Sequence, residues 1–181
     1  MYYIHMSKLN GPLKAQDILV LLRLLIWENN KAWSYAKLAK ELGMGASEVH
    51  SSIKRAERVD LIDPLTRRPK RDSLLEFLVH GLRYVFPAEI LGRGKGMPTA
   101  HFVDALKNQL IIEKGDNYVW PVRGATLEGI QITPLYAAAP KAAKRSKDLH
   151  ELLALVDAIR VGKARERELA VKELTKRIDA A

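Results

Sequence analysis

The sequence predicts a mainly α-helical protein with a small β component. Apolar residues recur at helical spacing over residues 13–29, on both sides of a tight turn near residue 44, and in two stretches close to the C-terminus. Runs with the composition of strands are short and lie in the middle of the chain, with expected bounds of 110–113, 118–122 and 127–132.

The first predicted helix covers residues 13–29, after Gly11 and Pro12. Its expected inner stripe consists of Leu19, Leu22, Leu25 and Ile26. The apolar run is interrupted by charged residues and is too short to cross a bilayer. We therefore expect a buried helix that packs across the next two.

Those next two helices are separated by a tight turn. Ser34 is a favourable N-cap, and the apolar stripe that follows it ends at Gly43, a natural C-terminal stop. Glu48 follows Gly45 by three positions, which is the spacing of a capping box. The second helix then divides into an apolar side with Val49, Ile53 and Ala56 and a polar side with Ser47, Ser51, Lys54 and Arg58.

The segment after this pair is basic and contains two prolines. Asp60 occupies a position that calls for a left-handed residue. Because prolines weaken a regular hairpin, residues 61–71 predict a shortened wing or a basic loop. A helix over 74–86 follows, capped by Asp72 or Ser73 and ended by Pro87, and its expected inward residues are Leu75, Leu78, Val79, Leu82 and Val85.

The second half of the chain is more irregular in sequence. Residues 92–96 predict a flexible basic loop, and residues 137–145 resemble a linker that leads into helix. Two helices follow, and their apolar stripes need a partner surface. We expect a subunit contact there, formed by Leu152, Val156, Leu169 and Leu174.

Three regions are expected along the chain. Residues 1–90 would form a DNA-binding domain with its following helix, residues 91–140 a small mixed or loop-rich region, and residues 141–181 a C-terminal helical region for dimerisation or packing.

The charge balance favours a polyanionic partner. The 181 residues include 30 Lys and Arg against 21 Asp and Glu, giving a formal charge of +9, and 48% are hydrophobic, enough for a core. The cations concentrate between residues 54 and 71. Cysteine is absent, and residues 1–10 show no secretory signal, so a cytoplasmic protein without a membrane partner is expected.

The stretch SYAKLAKELGMGASEVHSSIKRAERVDLID, within residues 13–72, resembles the winged helix-turn-helix of MarR-like bacterial transcriptional regulators. The resemblance implies binding of double-stranded DNA through the second helix, usually as a homodimer. The segments LLEFLVHGLRYVFPAEI and LLALVDAIRVGKARERELAVKEL also resemble bacterial regulator-like proteins, some encoded beside toxin or nucleotidyltransferase-type partners. That likeness implies at most a protein partner. The proline-containing wing, Gly45 and Asp60 depart from the MarR-like pattern.

The expected DNA contacts divide into two kinds. Residues near the start of a recognition helix approach base edges, whereas later cations hold phosphates. The expected base readers are Ser47, His50 and Ser51, and the phosphate contacts are Lys54, Arg55 and Arg58. Ser34 and the cations of the expected wing or loop, Arg67, Arg68, Lys70 and Arg71, complete the candidate site. The alternative is a solvated helix face with a solvated loop.

Other functions have less support in the sequence. The histidine spacing matches no metal motif, residues 92–96 lack a phosphate-loop pattern, and no catalytic triad is evident, so neither an enzyme nor a cofactor is expected. RNA binding would need aromatic side chains placed for base stacking, and the basic surface lacks that pattern. The sequence therefore favours a repressor that acts by occupying an operator. The alternative is an antitoxin-like protein-interaction module that restrains a co-encoded toxin or enzyme.

Overall fold

The structure is a computed structural model that describes residues 11–27, 32–107, 109 and 117–181. The expected strand over 110–113, the segment 1–10 and the last two residues of the first predicted helix lie outside the described residues.

The described chain is mainly helical with a small sheet, as the sequence predicts. The helices are α1 (Ala15–Leu25), α2 (Tyr35–Leu42), α3 (Ala46–Arg58), α4 (Arg71–Glu76), α5 (Leu82–Val85), α6 (Asp104–Lys107), α7 (Ala139–Ala143), α8 (Lys147–Val161) and α9 (Ala164–Ala180). A π-helical turn, Phe77–Gly81, joins α4 to α5, and a 3-10 turn, Ala100–Phe102, precedes α6. The strands are β1 (Ile90–Pro98), β2 (Tyr118–Trp120) and β3 (Leu127–Ile132).

Helix α1 lies in the middle of the core. Its residues from Asp17 to Leu22 are all buried, so the burial is wider than the single stripe that the sequence predicts. The reason is that α2, α3 and α8 all pack against it. The carboxylate of Asp17 accepts a hydrogen bond from the Lys14 backbone N–H at 2.8 Å and so satisfies a donor at the start of the helix.

A buried ion pair fastens α3 to α1. Arg55 Nε donates to Asp17 Oδ2 at 2.8 Å, and Arg55 Nη2 donates to Asp17 Oδ1 at 2.6 Å. Arg55 is 7% exposed and Asp17 is fully buried. The hydrogen bond to Asp17 raises the pKa of Arg55, so the guanidinium stays charged. The expectation that Arg55 holds a DNA phosphate is therefore wrong, because its side chain points into the core and is already engaged.

The predicted caps of the helix pair are present. Ser34 Oγ accepts from the Lys37 N–H at 3.2 Å, and Gly43 ends α2 in the left-handed conformation with φ of 68°. Glu48 Oε2 accepts from the Gly45 N–H at 3.3 Å at the start of α3. These local contacts fix a tight turn between α2 and α3.

A short hairpin follows α3. Asp60 takes the expected left-handed conformation, with φ of 62°. A single antiparallel bridge joins Ile62 to Pro69, and the Lys70 N–H donates to the Leu61 carbonyl at 2.9 Å. The Asp63 carboxylate accepts from the Thr66 N–H at 2.7 Å within the turn. The segment is thus an ordered hairpin of minimal length, consistent with the predicted shortened wing.

The helix after the hairpin contains a π-helical turn that the sequence did not predict. Leu78 and Leu82 are buried as expected, and Leu75 and Val79 are half-buried, whereas Leu74, which was not expected to face inward, is completely buried. Val85 is 53% exposed, so its expected inward position is wrong. A π turn inserts one extra residue into the helix and rotates everything after it relative to the preceding turns. Val85 lies after that turn and faces outward for this reason.

The three strands pair with one another in every combination. Strand β1 runs antiparallel to both β2 and β3, and β2 runs parallel to β3. The expected flexible loop over 92–96 is wrong, because these residues form most of β1. A Cβ atom at Gly96 would come within 2.2 Å of the Trp120 carbonyl oxygen, so this glycine permits close packing.

The two C-terminal helices are covered within the chain itself. Leu152, Val156 and Leu174 are almost completely buried, and Leu169 is partly buried. The expected subunit contact at these residues is therefore wrong, since α8 packs against α1, α7 and α9. One cluster of buried side chains draws on all three regions expected from the sequence. Among the described helices, none is both long and apolar enough to span a membrane.

A second buried ion pair anchors the sheet to α8. The carboxylate of Asp157 accepts from Arg160 Nη1 at 2.6 Å, from Trp120 Nε1 at 2.6 Å and from Thr99 Oγ1 at 2.8 Å. Arg160 also donates to the Phe86 carbonyl at 2.9 Å. Burial raises the pKa of Asp157, and the three donors oppose that rise. These bonds hold both ends of the sheet against one helix.

The pair between Arg55 and Asp17 should carry a large share of the stability. We expect Arg55→Met to lower the free energy of unfolding in urea by about 3–5 kcal/mol, because it leaves a buried carboxylate without its cation. Combining it with Asp17→Asn should recover part of that loss, since the amide is neutral and keeps an oxygen for the Lys14 N–H. A loss below about 1 kcal/mol for Arg55→Met would contradict this assignment.

Candidate nucleic-acid interface

The outward side of α3 gathers most of the residues that the sequence assigns to DNA contact. Ser47, His50, Lys54 and Arg58 are exposed, and Ser51 is half-buried. Val49 and Ile53, on the opposite side, are completely buried. The helix therefore presents hydroxyl, imidazole and ammonium groups together along one surface, while its apolar side is fixed in the core.

An aromatic cluster connects this surface to the hairpin. The Arg67 guanidinium carbon lies 4.0 Å from the centre of the Trp33 ring and 5.0 Å from that of Tyr35. Tyr35 in turn contacts the His50 ring edge-on, with 5.0 Å between ring centres. The four side chains, Trp33, Tyr35, His50 and Arg67, are called the aromatic cluster below. It holds the hairpin beside the exposed side of α3.

Arg67 has a positioning role that sequence reasoning missed. It is half-buried, and its φ of 56° is left-handed, which is uncommon for a residue with a side chain. One of its guanidinium nitrogens, Nη2, is buried without a hydrogen-bond partner in the described structure. The guanidinium thus lies over aromatic rings at the distances of a favourable cation–π contact. Because Arg67 is held over these rings, it supports the hairpin independently of any contact with a binding partner.

The other predicted cations have partners within the chain. Lys54 Nζ pairs with Glu57 Oε2 at 2.8 Å, and Lys70 Nζ pairs with Asp60 Oδ1 at 2.5 Å. Three arginines donate to backbone carbonyls, namely Arg58 to Gly11, Arg68 to Trp27 and Arg71 to Asp179. Ion pairs at an exposed surface contribute little to stability, so their cations can readily exchange one anionic partner for another. Lys54 and Lys70 can therefore exchange these carboxylates for phosphates, which Arg55 cannot do.

Ser34 serves the helix pair as a cap. Its hydroxyl accepts from the Lys37 N–H, and the residue is exposed at the start of α2. The backbone donors in that first turn lie at the positive end of the helix, where anions are favoured. Its cap role does not prevent a phosphate from approaching the same turn.

The pKa shifts at this surface reflect its hydrogen bonds. The hydrogen bond with Glu57 raises the pKa of Lys54, which therefore stays protonated at neutral pH. The backbone N–H of Thr66 lowers the pKa of Asp63 and keeps that carboxylate charged in the turn. The lowered pKa of Asp63 favours the folded hairpin above its unfolded-state pKa, and that contribution is lost as the pH falls through the folded-state value.

The second half of the chain also reaches this site. Tyr136 Oη donates to Glu48 Oε1 at 2.5 Å, and this hydrogen bond raises the pKa of Tyr136. Arg145 Nη1 donates to the carbonyls of Lys40 at 2.5 Å and Glu41 at 3.0 Å at the end of α2. The partners are far apart in the sequence, and no local pattern marks them. The α2–α3 turn is thus held from both halves of the chain.

No family model matches the chain, and no curated protein or solved structure is significantly similar to it. Among the described residues, no three His, Asp or Glu side chains come together as a metal site would require.

The aromatic cluster gives a direct test of hairpin order. We expect Arg67→Met to speed hydrogen exchange at the hairpin amides of Asp63, Arg67 and Lys70 by about two- to thirtyfold, equivalent to about 0.5–2 kcal/mol for the lost cation–π contact. Arg83→Met, which removes the contact between Arg83 and the Tyr84 ring, is the matched control and should leave these amides unchanged. Equal exchange in both variants would show that the aromatic cluster does not order the hairpin.

Proposed function

We propose that this chain is a sequence-specific, double-stranded DNA-binding transcriptional regulator of the winged helix-turn-helix, MarR-like type. The observation that carries the proposal is the outward side of α3, which exposes Ser47, His50 and Lys54 beside a hairpin held by the aromatic cluster. A recognition helix flanked by a wing needs this arrangement of polar surface and fixed backbone. The formal charge of +9 supports the same partner.

The residues take different roles in this proposal. Ser47, His50 and Ser51 lie in the first half of α3 and contact base edges in the major groove. Lys54 and Arg58 bind phosphates from the second half. The hairpin cations Arg68, Lys70 and Arg71 add contacts to the backbone nearby. Binding fixes the protein on an operator and excludes polymerase, so repression needs no chemistry. The site of action is the bacterial cytoplasm.

Salt dependence tests the phosphate contacts. Lys54→Gln should weaken binding to every duplex and reduce the slope of log K against log salt by about 0.9, the value for one lost phosphate contact. Lys176→Gln removes the same charge from exposed α9 and should leave the slope unchanged. An unchanged slope for Lys54→Gln would place the DNA surface elsewhere.

Sequence preference tests the base contacts. We expect Ser47→Ala and His50→Ala to change which duplexes are enriched from a random pool, with about 1–3 kcal/mol of discrimination lost at a contacted base pair. Nonspecific affinity at low salt should change little. Enrichment of the same sequences by wild type and both variants would contradict the proposed roles of these side chains.

Exposed apolar side chains near the end of α5 and the start of β1 favour a protein-interaction role as the second candidate function. Tyr84, Val85, Ile90 and Leu91 are between 49% and 75% exposed, and they follow one another closely in the chain. Beside them, a groove of about 730 Å³ is lined by residues that include Val59, Phe77 and Val85. Exposed apolar side chains of this size are typical of contact surfaces. Either a second copy, as in the proposed homodimer, or a co-encoded toxin or enzyme could cover them.

Oligomeric state distinguishes those occupants. For the homodimer, we expect light scattering to give a dimer mass for wild type and a monomer mass for Val85→Lys, because a lysine in the contact would be desolvated. Leu65→Lys, on the exposed hairpin tip, is the control and should remain a dimer. A monomeric wild type would contradict the homodimer and favour the antitoxin-like alternative. A dimeric Val85→Lys would move the contact to another face.

A further inference from the structure

We propose that a second group of cations, on α7 and directly after it, binds the phosphate backbone of the same duplex beside the amino end of α3. This inference rests on the proposed function and extends its contact surface. The segment that carries it is residues 137–147, which contains Lys141, Lys144, Arg145 and Lys147 and no acidic residue. In sequence it resembles a linker, but the structure shows a packed helix.

Helix α7 has one buried side and one cationic side. Ala139, Ala142 and Ala143 are almost completely buried, whereas Lys141 and Lys144 are exposed. The alanines allow the helix to approach α2 and α8 closely. The lysines therefore point away from the core as a consequence of the packing, and the helix presents them on a rigid support.

Three contacts place this support at the α2–α3 turn. The Lys141 side chain passes Gly43, and a Cβ atom at that glycine would lie 3.6 Å from Lys141 Cδ. Arg145 donates to the carbonyls of Lys40 and Glu41, which lie at the negative end of α2. Tyr136, just before α7, bonds Glu48 in the first turn of α3. The cations of α7 thus extend the polar surface of α3 beyond its amino end.

Two acidic groups near the α2–α3 turn, Glu41 and Glu48, are already engaged by other residues. Glu41 pairs with Arg23 at 2.5 Å, and Glu48 accepts from Tyr136 and from the Gly45 N–H. Within the described residues, neither the Lys141 nor the Lys144 side chain makes a hydrogen bond or an ion pair. Arg145 has a structural role at the end of α2. The two lysines are therefore the groups available to an external anion.

The chemistry of these lysines fits a phosphate backbone. A lysine ammonium is a compact point charge. It binds phosphate without the planar, two-bond geometry that an arginine guanidinium forms with an anion. Two such charges beside the start of a groove-reading helix would hold the DNA strand that borders the groove. They would position the protein without reading sequence.

The test compares two double variants of equal charge. Lys141→Gln with Lys144→Gln removes the α7 cations, and Lys172→Gln with Lys176→Gln removes two exposed cations from α9. Binding to a random-sequence duplex is followed by fluorescence anisotropy over a series of salt concentrations. We expect the α7 variant to reduce the slope of log K against log salt by about 0.9–1.8, and the α9 variant to leave it unchanged.

A third variant separates charge from packing. Lys141→Arg with Lys144→Arg keeps both cations and should retain the wild-type slope, and thermal unfolding should be the same for all three variants. Equal slopes for the α7 and α9 variants, or a loss of slope in the arginine variant, would overturn the inference.

The same measurements distinguish the two levels of the proposal. If wild type binds no duplex, the DNA-binding function fails and this inference fails with it. If Lys54→Gln flattens the salt slope but the α7 variant does not, the function stands and the α7 contact is wrong.

Discussion

The buried pair of Asp17 and Arg55 sets the orientation on which the candidate interface depends. A carboxylate inside the core must have a cation, because an unpaired buried charge is costly. Arg55 supplies it from α3, and this fixes the rotation of α3 about its own axis. With Arg55 and Ile53 turned inward, His50 and Lys54 turn outward. One internal ion pair thus determines which residues of α3 meet solvent.

A buried ion pair also constrains the second half of the chain, and contacts join this half to the first. Asp157 and Arg160 link α8 to the sheet and to the end of α5. The segment after β3 then returns to the α2–α3 turn through Tyr136. A displacement of the sheet or of α8 would therefore be transmitted to the start of α3. The exposed side of α3 is supported by residues from across the chain.

The local features of the fold could be predicted from the sequence, whereas contacts between distant residues could not. The cap at Ser34, the stop at Gly43 and the left-handed Asp60 depend on neighbouring residues, and all three are present. Arg55 was misassigned because its partner lies 38 positions away and a helical arginine carries no local sign of burial. Residues 92–96 were misassigned because glycine is typical both of flexible loops and of closely packed strands.

Because of the π-helical turn Phe77–Gly81, the directions in which side chains point before and after this turn are set independently. Leu74, before the turn, is buried in the core, whereas Tyr84 and Val85, after the turn, face solvent. A single residue inserted or removed in that turn would rotate the exposed residues by about 100°, the angle between successive residues of an α-helix. Evolution could therefore redirect or hide Tyr84 and Val85 by changing the chain length by one residue, without altering the core that the first half of the helix helps to form.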